Sequence, residues 1–150
     1  MPSVPAGRIS KSVNILLVDD NAYGVEARRS LLEELGYTVL SAHCGLDALK
    51  KTEECNFDLV ITDFKMQPMD GLELIAKLRD QNFTNPIILL TGFAESLGLN
   101  SDVTGANVVI QKSSQEVPNL IRHTKRLLAP RKPPRSQGPN RGSSRSRAGS

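Results

Sequence analysis

Short apolar runs, each followed by a segment of helical periodicity, recur along most of this chain, and that alternation limits the fold more than any other feature. The clearest run is Val13 to Val18 (VNILLV), nearly continuous in apolar residues and closed by Asp19 and Asp20. Runs of this kind suit a parallel strand buried on both faces. Ala22 to Leu35 then places Ala22, Val25, Leu32 and Leu35 on one helical stripe and stops at Gly36, a suitable C-terminal cap. The pattern repeats as strand Tyr37 to Ala42, helix Gly45 to Glu54, strand Phe57 to Thr62, helix Leu72 to Asp80 and strand Pro86 to Leu90. Asp70 and Glu73 have the spacing of a capping box, which fixes the start of the third helix.

Beyond Thr91 the helical signal weakens. Gly98, Asn100, Ser101, Val103 and Thr104 are poor helix formers, so the fourth helix is expected to be short and mobile. A fifth strand, Asn107 to Gln111, leads to Lys112. Ser113 and Glu116 open a last helix striped by Val117, Leu120, Ile121, Thr124, Leu127 and Leu128, with Pro118 in its first turn. Five βα units predict an α/β fold, a doubly wound five-stranded parallel sheet covered on both faces; a barrel needs eight.

Charge separates this body from its ends. Residues 13–128 carry 11 Lys or Arg and all 16 acids, whereas residues 1–12 carry two cations and residues 129–150 carry six. The last stretch also holds four prolines and three glycines, a composition that cannot bury enough surface to offset ordering. A single domain at 13–128 between disordered tails at 1–12 and 129–150 is expected, with no second domain. Cys44 and Cys55 lack metal-ligand spacing and suggest no disulfide framework. No run resembles a signal peptide or a membrane span, so a cytoplasmic protein without membrane contact is expected.

In open α/β sheets the ligand site lies beyond the carboxyl ends of the strands. Those ends supply Asp19 and Asp20, Asp63, Thr91 and Lys112. Two carboxylates about 4 Å apart repel by roughly 4 kcal/mol at an effective dielectric of 20. Three on one rim therefore call for a cation. Oxygen ligands suit a hard divalent ion, Mg²⁺ first and Mn²⁺ as a substitute. A carboxylate nucleophile, a metal, a hydroxyl at Thr91 and an ammonium at Lys112 are the parts that phosphoryl transfer to an aspartate requires.

The ordered motifs LLVDD, VITDFKMQPMDG, ILLTG and VIQK resemble the receiver domain of bacterial response regulators, of the kind seen in chemotaxis regulators, over residues 13–128. The resemblance implies a flavodoxin-like (βα)5 receiver with strand order 2-1-3-4-5. It implies a phosphoprotein in a two-component phosphorelay, with Asp63 carrying an aspartyl phosphate received from a histidine kinase or histidine phosphotransfer protein. Asp20 is then a direct Mg²⁺ ligand, Asp19 a ligand mainly through water, and the Lys65 main-chain carbonyl the third. Thr91 matches the switch hydroxyl and Lys112 the phosphate-holding lysine. Such domains catalyse their own phosphorylation and dephosphorylation without being conventional enzymes, and signal to a downstream protein, in some cases as homodimers.

Four positions depart from the family pattern. Gln67 separates Met66 from Pro68; Lys65 occupies the position that tunes hydrolysis of the phosphate and is expected to lengthen its lifetime; Val109 stands where a switch aromatic is usual; Ser113 replaces the proline after Lys112, so no cis peptide is expected there. Phosphorylation is expected to act through repacking around Val109, with Phe93 near the pocket. The competing readings are a receiver-like interaction module that takes no phosphate, and nucleic-acid binding through the basic tail. The tail has no aromatic for stacking and the body is acidic, so nucleic acid is not an expected partner. A haloacid-dehalogenase-type phosphatase needs an acid where Lys65 stands. His43 and His123 are expected to be surface residues.

Overall fold

Each apolar run forms a strand, and the reason is visible in where alternate side chains go. A computed structural model describes residues 13–92 and 98–129. The strands are β1 (Asn14–Val18), β2 (Thr38–Ala42), β3 (Leu59–Asp63), β4 (Ile87–Thr91) and β5 (Val108–Gln111). Between and after them come α1 (Ala22–Glu34), α2 (Gly45–Glu54), α3 (Gly71–Asp80), α4 (Ser101–Thr104) and α5 (Glu116–Leu127). All strand pairs are parallel, in the order β2-β1-β3-β4-β5.

Leu16, Val18, Val60, Ile87 and Leu89 pack on one face with Leu74, Ile75 and Leu78 of α3. Their neighbours Ile15, Leu17, Leu59, Ile61, Ile88 and Leu90 pack on the other with Leu32 of α1 and Leu120 of α5. Two cores fed by successive residues require continuous apolar runs, because strand side chains alternate between faces. The edge strand β2 is buried less completely: Val39 joins the core on the α1 side and Ala42 the core on the α3 side, while Thr38 and Leu40 are exposed.

Local signals place most helix ends. Asn21 caps α1 by accepting from the amides of Tyr23 and Gly24, and Asp70 caps α3 by accepting from Glu73 N at 2.9 Å. The chain leaves α1 through Gly36 at φ +100°, a conformation that costs other residues a Cβ clash. The last helix departs from expectation. It begins at Glu116, not Ser113; Ser113 instead accepts from Gln115 N in a preceding turn, and no side chain caps the helix. Within the expected stripes, Leu32, Leu120 and Thr124 are buried, while Ala22 and Val117 are exposed in the first turns of their helices. These first turns lie past the strand ends, where no sheet remains to cover them.

Among the described residues the weak fourth-helix segment holds one helical turn, Ser101–Thr104, ended by Gly105 at φ +81°. Residues 93–97 lie outside the described residues, as do Phe93, residues 1–12 and almost all of the 129–150 tail.

At the edge of the sheet away from the acids, Arg79 gathers several chain segments. Its guanidinium donates to the carbonyls of Phe83, Asn85 and Gly105 and to the Asn107 side chain. Asn107 in turn accepts from Ile87 N at 2.9 Å, so α3, β4 and the entry to β5 are pinned together.

Candidate functional site

Asp63 ends β3 with its side chain almost fully buried. The chain is held past it by Phe64 N donating to Leu90 O and by Gly71 N donating to Phe64 O, both at 2.8 Å. Gly71 is required here. A Cβ on it would collide with the Asp63 carbonyl oxygen and stand 3.0 Å from Phe64 Cα. The sequence places Asp63 through an apolar strand on one side and a glycine at the helix start on the other.

The acids expected at the strand ends do meet. Asp19, Asp20 and Asp63 each offer a carboxylate oxygen, and the three oxygens lie within 4.8 Å of one another. Asp19 and Asp63 are buried; Asp20 is exposed. Lys112 forms an ion pair with Asp63 Oδ1 and is held by its own amide donating to Thr91 O at 2.9 Å. Thr91, buried at the end of β4, follows the residue paired with Asp63 in the ladder. Burial pushes the Asp63 carboxyl above the ordinary aspartate range; the Lys112 hydrogen bond opposes this shift, and the charge of Asp19 adds to it.

A cavity of about 340 Å³ opens beside this cluster, lined by Asp20, Phe64, Lys65, Met66, Gln67 and Asp70. Lys65 is therefore at the mouth of the site. Three oxygen-donor side chains, one facing open space, fit a hard divalent cation better than a thiophilic metal. Val109 is half-buried, pairs with Leu89 in the β4–β5 ladder and packs against the α3-side core. The cis peptide among the described residues is Gln67–Pro68, and none occurs at Lys112–Ser113. His43 is exposed beside Asp47, at 3.4 Å, while His123 is half-buried between Arg122 and Arg126. Both cysteines are free.

Two site residues escaped the sequence reading. Arg28 donates from Nη1 to Asp19 Oδ2 at 2.8 Å and from Nε to Glu116 Oε2 at 2.7 Å. The available signal was Gly24, an unfavourable residue inside α1 and one turn before Arg28. Nothing local in the sequence points to Glu116, which lies 88 positions further on.

A family model described as the response regulator receiver domain matches residues 15–123. The chain belongs to that family. Among solved structures, the response regulator TrrA of Thermotoga maritima, crystallised with Mg²⁺ and BeF, is 34% identical, covers 77% of this chain and 99% of its own, and superposes with a TM-score of 0.70. CheY4 of Vibrio cholerae, a chemotaxis protein, gives a TM-score of 0.71 at 27% identity, over 79% of this chain and 100% of its own. Of the curated proteins, the transcriptional regulatory protein ZraR of Klebsiella oxytoca is 37% identical over 84 residues, 56% of this chain but 19% of that protein. The sensor protein EvgS of Escherichia coli K12 is 40% identical over 88 residues, 59% of this chain and 7% of its own. This receiver chain thus spans less than a quarter of either curated relative. No helix among its described residues is long and apolar enough to cross a membrane.

Proposed function

We propose that residues 13–128 act as a phosphorylation switch and that Asp63 is its phosphoacceptor. The observation that carries this reading is the cluster of three carboxylates within 4.8 Å, one of them ion-paired to Lys112. A carboxylate oxygen of Asp63 attacks the phosphorus of a phosphohistidine; the P–N bond breaks, and the imidazole leaves with the electron pair and takes up a proton. Lys112, freed from Asp63 Oδ1 as that oxygen forms its new bond, accompanies the negative charge onto the phosphoryl oxygens. Thr91, at the neighbouring strand end, donates a hydrogen bond from its hydroxyl to another of them.

Asp20, Asp63 and the Lys65 carbonyl, with Asp19 mainly through water, would hold Mg²⁺, with Mn²⁺ as an alternative. The ion, when bound, supplies charge neutralisation among the acids and on the transferring group. The neighbour TrrA supports the assignment, since it was crystallised with Mg²⁺ and BeF and, separately, in complex with the histidine kinase ThkA, where it is 34% identical with a TM-score of 0.69. The donor is accordingly a histidine kinase or a histidine phosphotransfer protein, in the cytoplasm. Output is phosphorylation-dependent contact with a downstream protein through the α4–β5–α5 face, where Val103 of α4 is exposed. Repacking around Val109 carries the signal there.

Incubation with acetyl phosphate and Mg²⁺, followed by mass mapping, tests the assignment. One phosphoryl group on Asp63, not taken up when a chelator is present from the start, is the expected result; a chain left unmodified overturns the reading in favour of a phosphate-free interaction module. Lys65, at the mouth of the cavity, screens the phosphate from water, so Lys65→Asn is expected to lose it severalfold faster. A parent-like half-life for that variant removes the role.

A further inference from the structure

Arg28 is the one cation among the described residues that bridges an acid of the site to an acid on the last helix. Its side chain is only 12% exposed. Room for it comes from Gly24: a Cβ there would stand 3.0 Å from Arg28 Nη1 and 3.1 Å from Asp19 Oδ2. Any other residue at position 24 would crowd the guanidinium at the point where it meets the carboxylate. Burial acts to lower the Arg28 pKa, but the hydrogen bond and charge of Glu116, joined by Asp19, raise it overall, so the buried group keeps its charge.

A clamp between α1 and α5 would need only the Glu116 arm. The second arm goes to Asp19, whose Oδ1 is already accepting from Asn21 N at 2.9 Å, so both oxygens of this acid are engaged. We propose that Arg28 is a positioning residue that sets the divalent-cation affinity of the site: it holds Asp19 in an ion pair that an entering cation must weaken, and Glu116 sets how firmly. This inference rests on the metal reading proposed above.

The charge arithmetic gives the two partners opposite signs. Without Arg28, Asp19 presents its full charge to the incoming ion, and the competing positive charge is gone. Without the Glu116 charge, the guanidinium has Asp19 as its remaining ion-pair partner and screens it more completely. Glu116 acts on the metal only through Arg28, so its effect vanishes once Arg28 is removed. A generally loosened site would instead weaken metal binding in both variants.

The test is calorimetric titration of Mg²⁺ into the full chain at about 0.15 M salt, with no phosphodonor and with the fold of each variant checked by circular dichroism. Arg28→Gln is expected to bind Mg²⁺ at least threefold more tightly than the parent, Glu116→Gln at least twofold more weakly, and the double variant within twofold of Arg28→Gln. Equal or weaker binding by Arg28→Gln overturns the proposal, as does a double variant that follows Glu116→Gln. If Arg28→Gln does not fold, Glu116→Gln decides: weaker binding at a parent-like urea midpoint supports the proposal, whereas unchanged or tighter binding, or weaker binding with a lowered midpoint, overturns it. A parent that binds no Mg²⁺ overturns the metal reading, and this inference with it; a parent that binds with variants that do not differ overturns this inference alone.

Discussion

Lys112 just past β5 is ion-paired to Asp63 at the end of β3, across the intervening strand β4. The pair places a fixed positive charge on the acid proposed as the phosphoacceptor.

Removing that charge leaves the attacking carboxylate beside Asp19 without its cation. Lys112→Ala is expected to slow phosphoryl uptake from acetyl phosphate about a hundredfold, the cost of losing one preorganised charge-stabilising donor. Incorporation followed by mass at saturating Mg²⁺ checks it, and a rate within threefold of the parent contradicts the role.

Asp63→Asn takes no phosphate, and it is also expected to be the more stable protein in chelator-treated buffer. Burial, reinforced by Asp19, raises the Asp63 pKa, so the folded state holds that proton more tightly than the unfolded chain. The parent therefore gains stability as pH falls into the carboxyl range and loses it again as pH rises through the raised pKa. Urea midpoints for the two proteins are expected to differ at neutral pH and to draw together on acidification; a gap independent of pH removes this account.

Gly71→Ala forces a Cβ against the Asp63 carbonyl oxygen, which is backbone and cannot rotate away. A loss of about 1–3 kcal/mol is expected from the displaced loop. By contrast, a Cβ at Gly45 meets the flexible Met69 side chain, so Gly45→Ala is expected to cost less. Denaturant unfolding of both variants tests the order, and the reverse order refutes it.

His123 lies against Arg122 and Arg126, and burial with those two charges lowers its pKa below the ordinary 6.5. A lowered pKa means stability that is present above 6.5 and lost as pH falls through the folded value. His123→Asn is expected to lack that acid-side decline. Thermal melts between neutral and mildly acidic pH decide it; parallel curves for the two proteins count against it.

The sheet was legible because β1, β3 and β4 are buried on both faces, which leaves almost no polar residue before the terminal acids. The acids of the site were legible because the strand-end rule gathers them without any need for side-chain detail. Arg28 and Glu116 were not, since their link depends on how α1 and α5 pack across 88 residues of sequence. Arg79 escaped for the same reason: its partners are mostly main-chain carbonyls, which no residue pattern announces. Ser113 misled because its serine-to-glutamate spacing matches a capping box, yet its hydroxyl closes the turn to Gln115.

The Arg79 junction restrains the entry to β5. Gly105 and Asn107 are tied to α3, and Asn107 to Ile87 of β4. A displacement that begins at Lys112 or Thr91 is therefore expected to meet its firmest resistance at the end of the strand furthest from the acids.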